Sequence, residues 1–250
     1  MGMLRGASEA EIVTTLEYQG RGIIQVDQLP CTLATYRVST NYQLPGQRTQ
    51  IECTRPDGQP FSNIETVSGT FAWNEDIPGA EIVTGKGTAT PTPAALDERL
   101  IRLWASPQGA PKAALAGAAG TVATDVGLNP AVMLDKAHLS GVKAATTVAW
   151  PHITFPIPGV AGAMATATLD NGYLPTRIVV THGTNKTEFA YSNYEDWNNP
   201  LNKIEALYAG TISERRNGTL LRDLKTTQTE TGNVYVAVPV PIGVRRAAAK

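Results

Sequence analysis

The first part of the chain alternates between apolar and polar residues with the period of a β-strand. Leu16, Tyr18 and Ile24 fall on one side of an extended segment, with polar residues between them. The segment Tyr36–Leu44 repeats this pattern. Alternation over this length predicts strands that have one face on a core and the other in water.

A turn signal separates the second of these strands from a third. Pro45 presets its own φ angle, and Gly46 accepts a positive one. A hairpin that places Leu44 opposite Gln47 brings the apolar sides of both strands together. We therefore predict this hairpin, although Pro-Gly favours a turn that is unusual in two-residue hairpins, so a longer loop is the alternative.

The middle of the chain changes from strand to helix periodicity. Leu96, Leu100, Leu103 and Trp104 form an apolar stripe at helical spacing after Pro93. Pro107-Gln108-Gly109 interrupts that helix, and the alanine-rich segment 112–119 predicts a second helix. The sequence thus predicts a helical insert between two groups of strands.

The remaining strands are predicted from shorter alternating runs. Ser68–Trp73 is one of them, and most of the others follow residue 144, with Asp170-Asn171-Gly172 as a hairpin turn. Their predicted ranges are 146–150, 152–155, 164–169, 177–181, 188–194, 220–229 and 234–240. We find neither a linker nor a repeat, and so predict one domain over residues 1–250 that is ordered from about 15 to 244.

Composition and charge exclude several classes of protein. The 21 basic and 22 acidic residues leave a net charge of -1, which argues against nucleic acid as a partner. No apolar run approaches the roughly 20 residues of a membrane-spanning helix. The segment 1–21 lacks the apolar stretch of a signal peptide, so export requires a signal that was removed or lies outside this sequence.

The two cysteines, Cys31 and Cys53, allow two interpretations. They could form one structural disulfide, or they could be two buried thiols. The predicted hairpin places Val38 opposite Cys53, so a disulfide to Cys31 would need a bulge or a return of the chain.

Motifs for catalysis and for metal binding are absent from the sequence. It contains no G-x-S-x-G, no phosphate-binding glycine loop and no H-E-x-x-H, and we predict no cofactor and no metal. The charges of Glu214 to Arg216 and of Arg222 and Asp223 are interpreted as surface pairs. His152, flanked by Trp150 and Phe155, is the first candidate if the protein is an acid–base enzyme.

Aromatic and large apolar residues near small ones suggest an interior cavity. Tyr18 lies beside Gly20 and Gly22, and alanines surround Met164. A plain packed core, filled by the helix around Trp104, is the alternative interpretation. Strand parity gives these candidate ligand-binding residues: Tyr18, Tyr36, Val38, Phe71, Trp73, Trp104, Trp150, Phe155 and Met164.

Several segments resemble a group of exported bacterial proteins related to the LolA and LppX lipoprotein carriers. They are 68–74, 94–104, 107–109, 191–197 and 233–241. In that group the domain occurs alone or ahead of a metallo-β-lactamase-like domain, which this sequence lacks. The resemblance spans about residues 17–244 and rests on strand patterns and aromatic spacing; a lipobox cysteine is missing.

The resemblance implies an α+β fold, mainly antiparallel β: an incomplete (half) β-barrel of LolA type, wrapped over helices from a central insert. It also implies a periplasmic or cell-envelope protein that binds or carries a lipid or lipoprotein acyl chain. A hydrolase or lyase acting on an apolar substrate in the same cavity is the main alternative. A third is an interaction module that binds another envelope protein along a strand edge.

Overall fold

Two β-meanders form one open antiparallel sheet. The computed structural model describes residues 13–83, 85–124, 151–170, 172–196, 207–231 and 235–249. Within them the strand order is β6-β5-β4-β3-β2-β1-β13-β12-β11-β10-β9-β8-β7, so the first meander joins the second where β1 pairs with β13. The strands are β1 Thr15–Val26, β2 Leu29–Asn41, β3 Gly46–Thr54, β4 Pro60–Ser68, β5 Phe71–Glu75, β6 Ala89–Pro91, β7 Val122–Thr124, β8 His152–Pro156, β9 Met164–Leu169, β10 Pro175–His182, β11 Asn185–Asp196, β12 Leu207–Arg216 and β13 Thr219–Thr231.

The helical insert lies between β6 and β7. Its elements are a 3-10 turn (Pro93–Ala95), helix α1 (Leu96–Trp104), helix α2 (Gly109–Ala116) and a second 3-10 turn (Ala118–Gly120); helix α3 (Ile242–Ala248) follows later, near the C-terminus. The predicted fold class, mainly antiparallel β with helices from a central insert, is confirmed. The second helix was predicted over 112–119 but begins at Gly109, because Ser106 Oγ accepts a hydrogen bond from the Gly109 amide at 3.0 Å. None of the helices in the described ranges is long and apolar enough to cross a membrane.

The sheet is strongly curved, with the insert on its concave face. One side chain, Arg102 of α1, lies within 3.7 Å of Glu65 on β4 and within 3.0 Å of Glu214 on β12. Those strands are five steps apart in the sheet order, which would separate them by about 24 Å in a flat sheet. The two meanders therefore bend toward each other around α1, as the half-barrel prediction requires.

The predicted register of the β2–β3 hairpin is wrong. Gln47 lies opposite Thr40, and Asn41 opposite Gly46, so residues 42–45 form the turn. The Asn41 side-chain oxygen accepts hydrogen bonds from the amides of Gln43 and Leu44, both at 2.9 Å. This local bonding lengthens the loop beyond the two residues that were assumed.

The corrected register decides between the two interpretations of the cysteines. A bulge between Leu33 and Thr35 adds to the shift and places Cys53 opposite Leu33. Cys31 is then two residues away, with its Cα 5.6 Å from that of Cys53, and the two form a disulfide.

The convex face carries a second, smaller core beneath the C-terminal segment. Its buried residues are Trp73, Ala80, Ala89, Val236, Val238 and Val244. The predicted last strand, 234–240, is wrong for its described residues 235–240, which belong to no strand. They cross the face of the sheet: Asn41 donates a side-chain hydrogen bond to the Val236 carbonyl at 2.9 Å, and Val238 packs where Gly46 has no side chain. Apolar residues therefore occupy every second position at Val236 and Val238 because this segment packs on the face of the sheet, and not because it is a strand within the sheet.

Candidate functional site

A small cavity lies between α1 and the concave face of the sheet. Its volume is about 40 Å³, which holds a few water molecules and is too small for an acyl chain. The lining is aromatic and charged as well as apolar. It comprises Leu16, Tyr18, Tyr36, Thr40, Tyr42, Gln47, Arg102, Ser106, Phe189, Tyr191, Tyr208, Ile212, Glu214, Arg222 and Leu224.

A buried network of charges forms one wall of this cavity. The Glu214 carboxylate accepts hydrogen bonds from Arg102 Nε at 3.0 and 3.2 Å, and its Oε2 lies 3.2 Å from Arg222 Nε. Glu65 Oε2 lies 3.5 Å from Arg222 and 3.7 Å from Arg102. Burial raises the pKa of Glu214, but the two guanidinium groups outweigh it and hold the pKa below its ordinary value. Two arginines and two glutamates thus compensate one another in a buried setting.

Tyrosines extend this network across the cavity. Arg222 Nη1 donates a hydrogen bond to the Tyr36 hydroxyl, and the Tyr18 ring lies 6.2 Å from that of Tyr36 and 5.0 Å from that of Tyr208. Burial raises the pKa values of Tyr18, Tyr208 and Tyr191 well above the ordinary value. These phenols therefore stay protonated near neutral pH, where they act as hydrogen-bonding groups and not as bases.

Polar contacts fix α1 and its C-terminal turn to the sheet. Arg99 donates hydrogen bonds to the backbone carbonyls of Thr66 and Trp73, at 2.9 and 2.6 Å. The Tyr191 hydroxyl donates to the Ala105 carbonyl at 2.7 Å, and the Tyr42 hydroxyl lies 3.0 Å from Ser106 Oγ. The first helix is thus bound to strands of both meanders.

A second space, under α2, is lined by apolar residues alone. It is a crevice of about 10 Å³ between α2 and strands β8 to β10. Small residues meet across it, since α2 supplies Ala110 and Ala114 and the facing strand β9 supplies Ala167. Leu115, the large apolar residue of α2, is 46% exposed on the opposite side. The lining comprises Ala110, Pro111, Ala114, Ile153, Phe155, Ala167, Leu169 and Pro175.

Five of the predicted ligand-binding residues lie in the concave interior. Tyr18 and Tyr36 line the charged cavity, while Val38, opposite Tyr18, and Trp104 are buried in the same core. Phe155 lines the apolar crevice. The interior therefore gathers these five residues, three of which line one of two separate spaces.

Three others lie elsewhere. Trp73 lies opposite Thr66, and Thr66 lies opposite Arg48, so the three side chains share one face of the sheet. Arg48 donates a hydrogen bond to Glu75 on the convex face. Trp73 and Phe71 therefore belong to that face. Met164 is 37% exposed and points away from the side of Ala165.

The predicted strand 68–73 is also wrong as a single strand. A turn at Gly69, with φ of 56°, divides it between β4 and β5. Trp150 lies outside the described residues, as does the predicted strand 146–150.

His152 is separated from Phe155 by the sheet itself. Its Nδ1 lies 3.1 Å from Thr168 Oγ1, and these two residues are paired on β8 and β9. Phe155 pairs with Ala165 on the concave side, whereas His152 is half-buried on the other. The described ranges contain no group of three or more His, Cys, Asp or Glu residues that could hold a metal ion.

The charged network was missed because its residues were interpreted as surface pairs. That interpretation is wrong for Glu214 and Arg222, which are 2% and 9% exposed. The sequence did offer a signal, because residues two apart in a strand lie on the same face of the sheet. Glu214 is two residues from the buried Ile212, and Arg222 is two residues from the buried Leu224.

Comparison with known proteins yields matches among solved structures. No family model and no curated protein matches the sequence. Among solved structures, the chain resembles a crystal structure from Vibrio parahaemolyticus whose name assigns it to outer membrane lipoprotein-sorting protein domains. The identity is 9% and the TM-score 0.43, over 89% of this chain and 87% of that one.

Proposed function

We propose that the protein binds a hydrophobic ligand, such as a lipid or a lipoprotein acyl chain, between α2 and the concave face of the sheet. The observation that carries this proposal is the crevice under α2, whose eight lining residues are all apolar. Apolar lining on both the helix and the sheet would receive an acyl chain without leaving polar groups unpaired.

The crevice holds about 10 Å³, so the ligand enters only if α2 moves outward. Little apolar surface holds α2 in place, because its buried side chains are those of Ala110, Pro111, Ala113 and Ala114. Each methylene of an incoming chain contributes about 0.8 kcal/mol on burial. Several methylenes would therefore offset the loss of the alanine contacts.

The disulfide supports a location in the cell envelope. Cys31 and Cys53 are bonded, and disulfides persist in oxidising compartments such as the bacterial periplasm. We infer that the protein works as a carrier or sensor of its ligand there, as one domain.

Lipid extraction tests the proposal directly. We expect organic extracts of the protein purified from cells to contain lipid by mass spectrometry, and the delipidated protein to bind a fluorescent fatty acid. Ala167→Leu fills the crevice and should weaken that binding, whereas Thr166→Leu, on the other face of β9, should leave it unchanged. An extract without lipid, together with no binding of the fatty acid, would contradict the proposal.

A further inference from the structure

Four large aliphatic side chains are exposed near one another on the convex side of the sheet. Ile77, Ile82 and Val83 lie in the loop between β5 and β6 and are 45%, 49% and 56% exposed, and Ile242 of α3 is 64% exposed. Helix α3 packs on β5 and β6, and its Gly243 lies against the Glu81 carboxylate, next to Ile82. We call these four residues the aliphatic patch.

Hydrogen bonds hold the loop in the shape that presents the aliphatic patch. The Gly79 amide donates to Glu75 Oε2 at 2.7 Å, and the Thr88 amide to Asp76 Oδ1 at 2.7 Å. Within the loop, the Glu81 amide donates to the Lys86 carbonyl at 2.8 Å. These hydrogen bonds brace the loop, in which the three aliphatic side chains remain about half exposed.

Exposed cations outnumber the carboxylates around the aliphatic patch. Lys86, Arg245 and Arg246 are exposed and form no ion pair with any residue that the structure describes. Two carboxylates lie in the same loop: Glu81 Oε1 accepts a hydrogen bond from the Ala89 amide at 3.1 Å, and the exposed Asp76 accepts one from the Thr88 amide. The patch thus combines exposed aliphatic tips with three cations and two carboxylates, which is an excess of one positive charge.

We propose that the aliphatic patch docks the protein on an anionic lipid bilayer. Exposed aliphatic side chains insert into the boundary between headgroups and acyl chains, and each nearby Lys or Arg adds attraction to an anionic surface. The docking surface lies on the convex face, away from the crevice under α2. It does not depend on the ligand-binding proposal.

Flotation with protein-free vesicles tests this inference on the full chain. We expect the protein to float with vesicles of phosphatidylglycerol and phosphatidylethanolamine, to float less at high salt, and to remain behind with phosphatidylcholine alone. The double substitution Arg245→Glu and Arg246→Glu should lower the partition coefficient about tenfold or more. Val83→Asp should lower it comparably.

Matched control variants separate docking from general effects. Val122 on β7 is 58% exposed, close to the value for Val83, and lies at the opposite edge of the sheet. Val122→Asp, and the double substitution Lys186→Glu and Lys225→Glu, should leave flotation unchanged. Circular dichroism of each variant checks that the fold is intact.

Three results would overturn the inference. The first is that the wild-type protein does not float with anionic vesicles. The second is that the control variants lose as much flotation as the patch variants. The third is that the protein binds native membranes but not protein-free vesicles, and that protease treatment of those membranes abolishes the binding. The last result would assign the patch to a protein partner. Fatty-acid binding by the same preparations reports separately on the crevice under α2.

Discussion

The two helices of the insert lie on the same concave face but are held there by different forces. Helix α1 buries Leu100, Ile101, Leu103 and Trp104 and adds the ion pairs of Arg102. Helix α2 buries three alanines, one glycine and one proline. The difference indicates that α1 is a structural part of the half-barrel, whereas α2 is held by little apolar surface, as the cover in our ligand-binding proposal requires.

Removing the charge that anchors α1 should have the largest effect. Glu214→Ala removes the most buried carboxylate that Arg102 and Arg222 share. Breaking a buried ion pair typically costs about 3–5 kcal/mol in the free energy of unfolding, and the remaining pairs with Glu65 and Glu98 place the expected loss toward the lower end of that range. Urea denaturation measures the loss. Glu188→Ala, which breaks the exposed pair with Arg177, should cost about 1 kcal/mol or less; equal losses would mean that the network does not anchor the helix.

A pair of leucines compares the two helices directly. Leu103→Ala in α1 removes a side chain that is fully buried and should lower the free energy of unfolding by about 2–5 kcal/mol. Leu115→Ala in α2 removes an exposed one and should change it by about 0.5 kcal/mol or less. If the two losses were similar in thermal or urea unfolding, the distinction between the helices would fail.

Acid should weaken the anchor of α1 without any mutation. Arg102 and Arg222 hold the folded-state pKa of Glu214 below its ordinary value of 4.5 despite burial. The carboxylate therefore stabilises the fold above about pH 4.5, and this contribution is lost as the pH falls through the folded-state pKa. Urea titrations between pH 7 and pH 3 should show a smaller decrease in Glu214→Gln than in the wild type.

A small effect should come from the contact that α2 makes through a cation. Lys112 Nζ lies 5.5 Å from the centre of the Tyr42 ring. Lys112→Met keeps the apolar part of the side chain and should cost about 0.5–1 kcal/mol. We expect the α2 amides to exchange hydrogen faster than those of α1, and the substitution should increase their exchange rate slightly further. A large decrease in the free energy of global unfolding would show that α2 is firmly anchored.

Periodicity predicted much of the fold because each strand buries one side of itself. Leu16, Tyr18, Tyr36 and Val38 share the concave face as expected. Alternation within one strand does not show which face of the sheet the next strand uses for its apolar residues. The turn at Gly69 therefore placed Trp73 on the opposite face.

Tertiary context decided the features that periodicity missed. Val236 and Val238 alternate as in a strand, but Pro239 and Pro241 lack the amides that a ladder requires, and the segment packs on the sheet instead. Glu214 and Arg222 are charged, and nothing in the sequence indicated that Arg102 would meet both of them from another element.

The pairing of β1 with β13 has a consequence for how the chain folds. During synthesis, β1 emerges early, while its partner on one side arrives only after more than 190 further residues. Until then the first meander presents an unpaired strand edge, which can template association with other chains. The pairing of β1 with β13 should limit the folding rate, because contacts between residues far apart in the sequence form slowly. The vulnerable species is therefore the incomplete chain, and chaperones that shield strand edges should act on it.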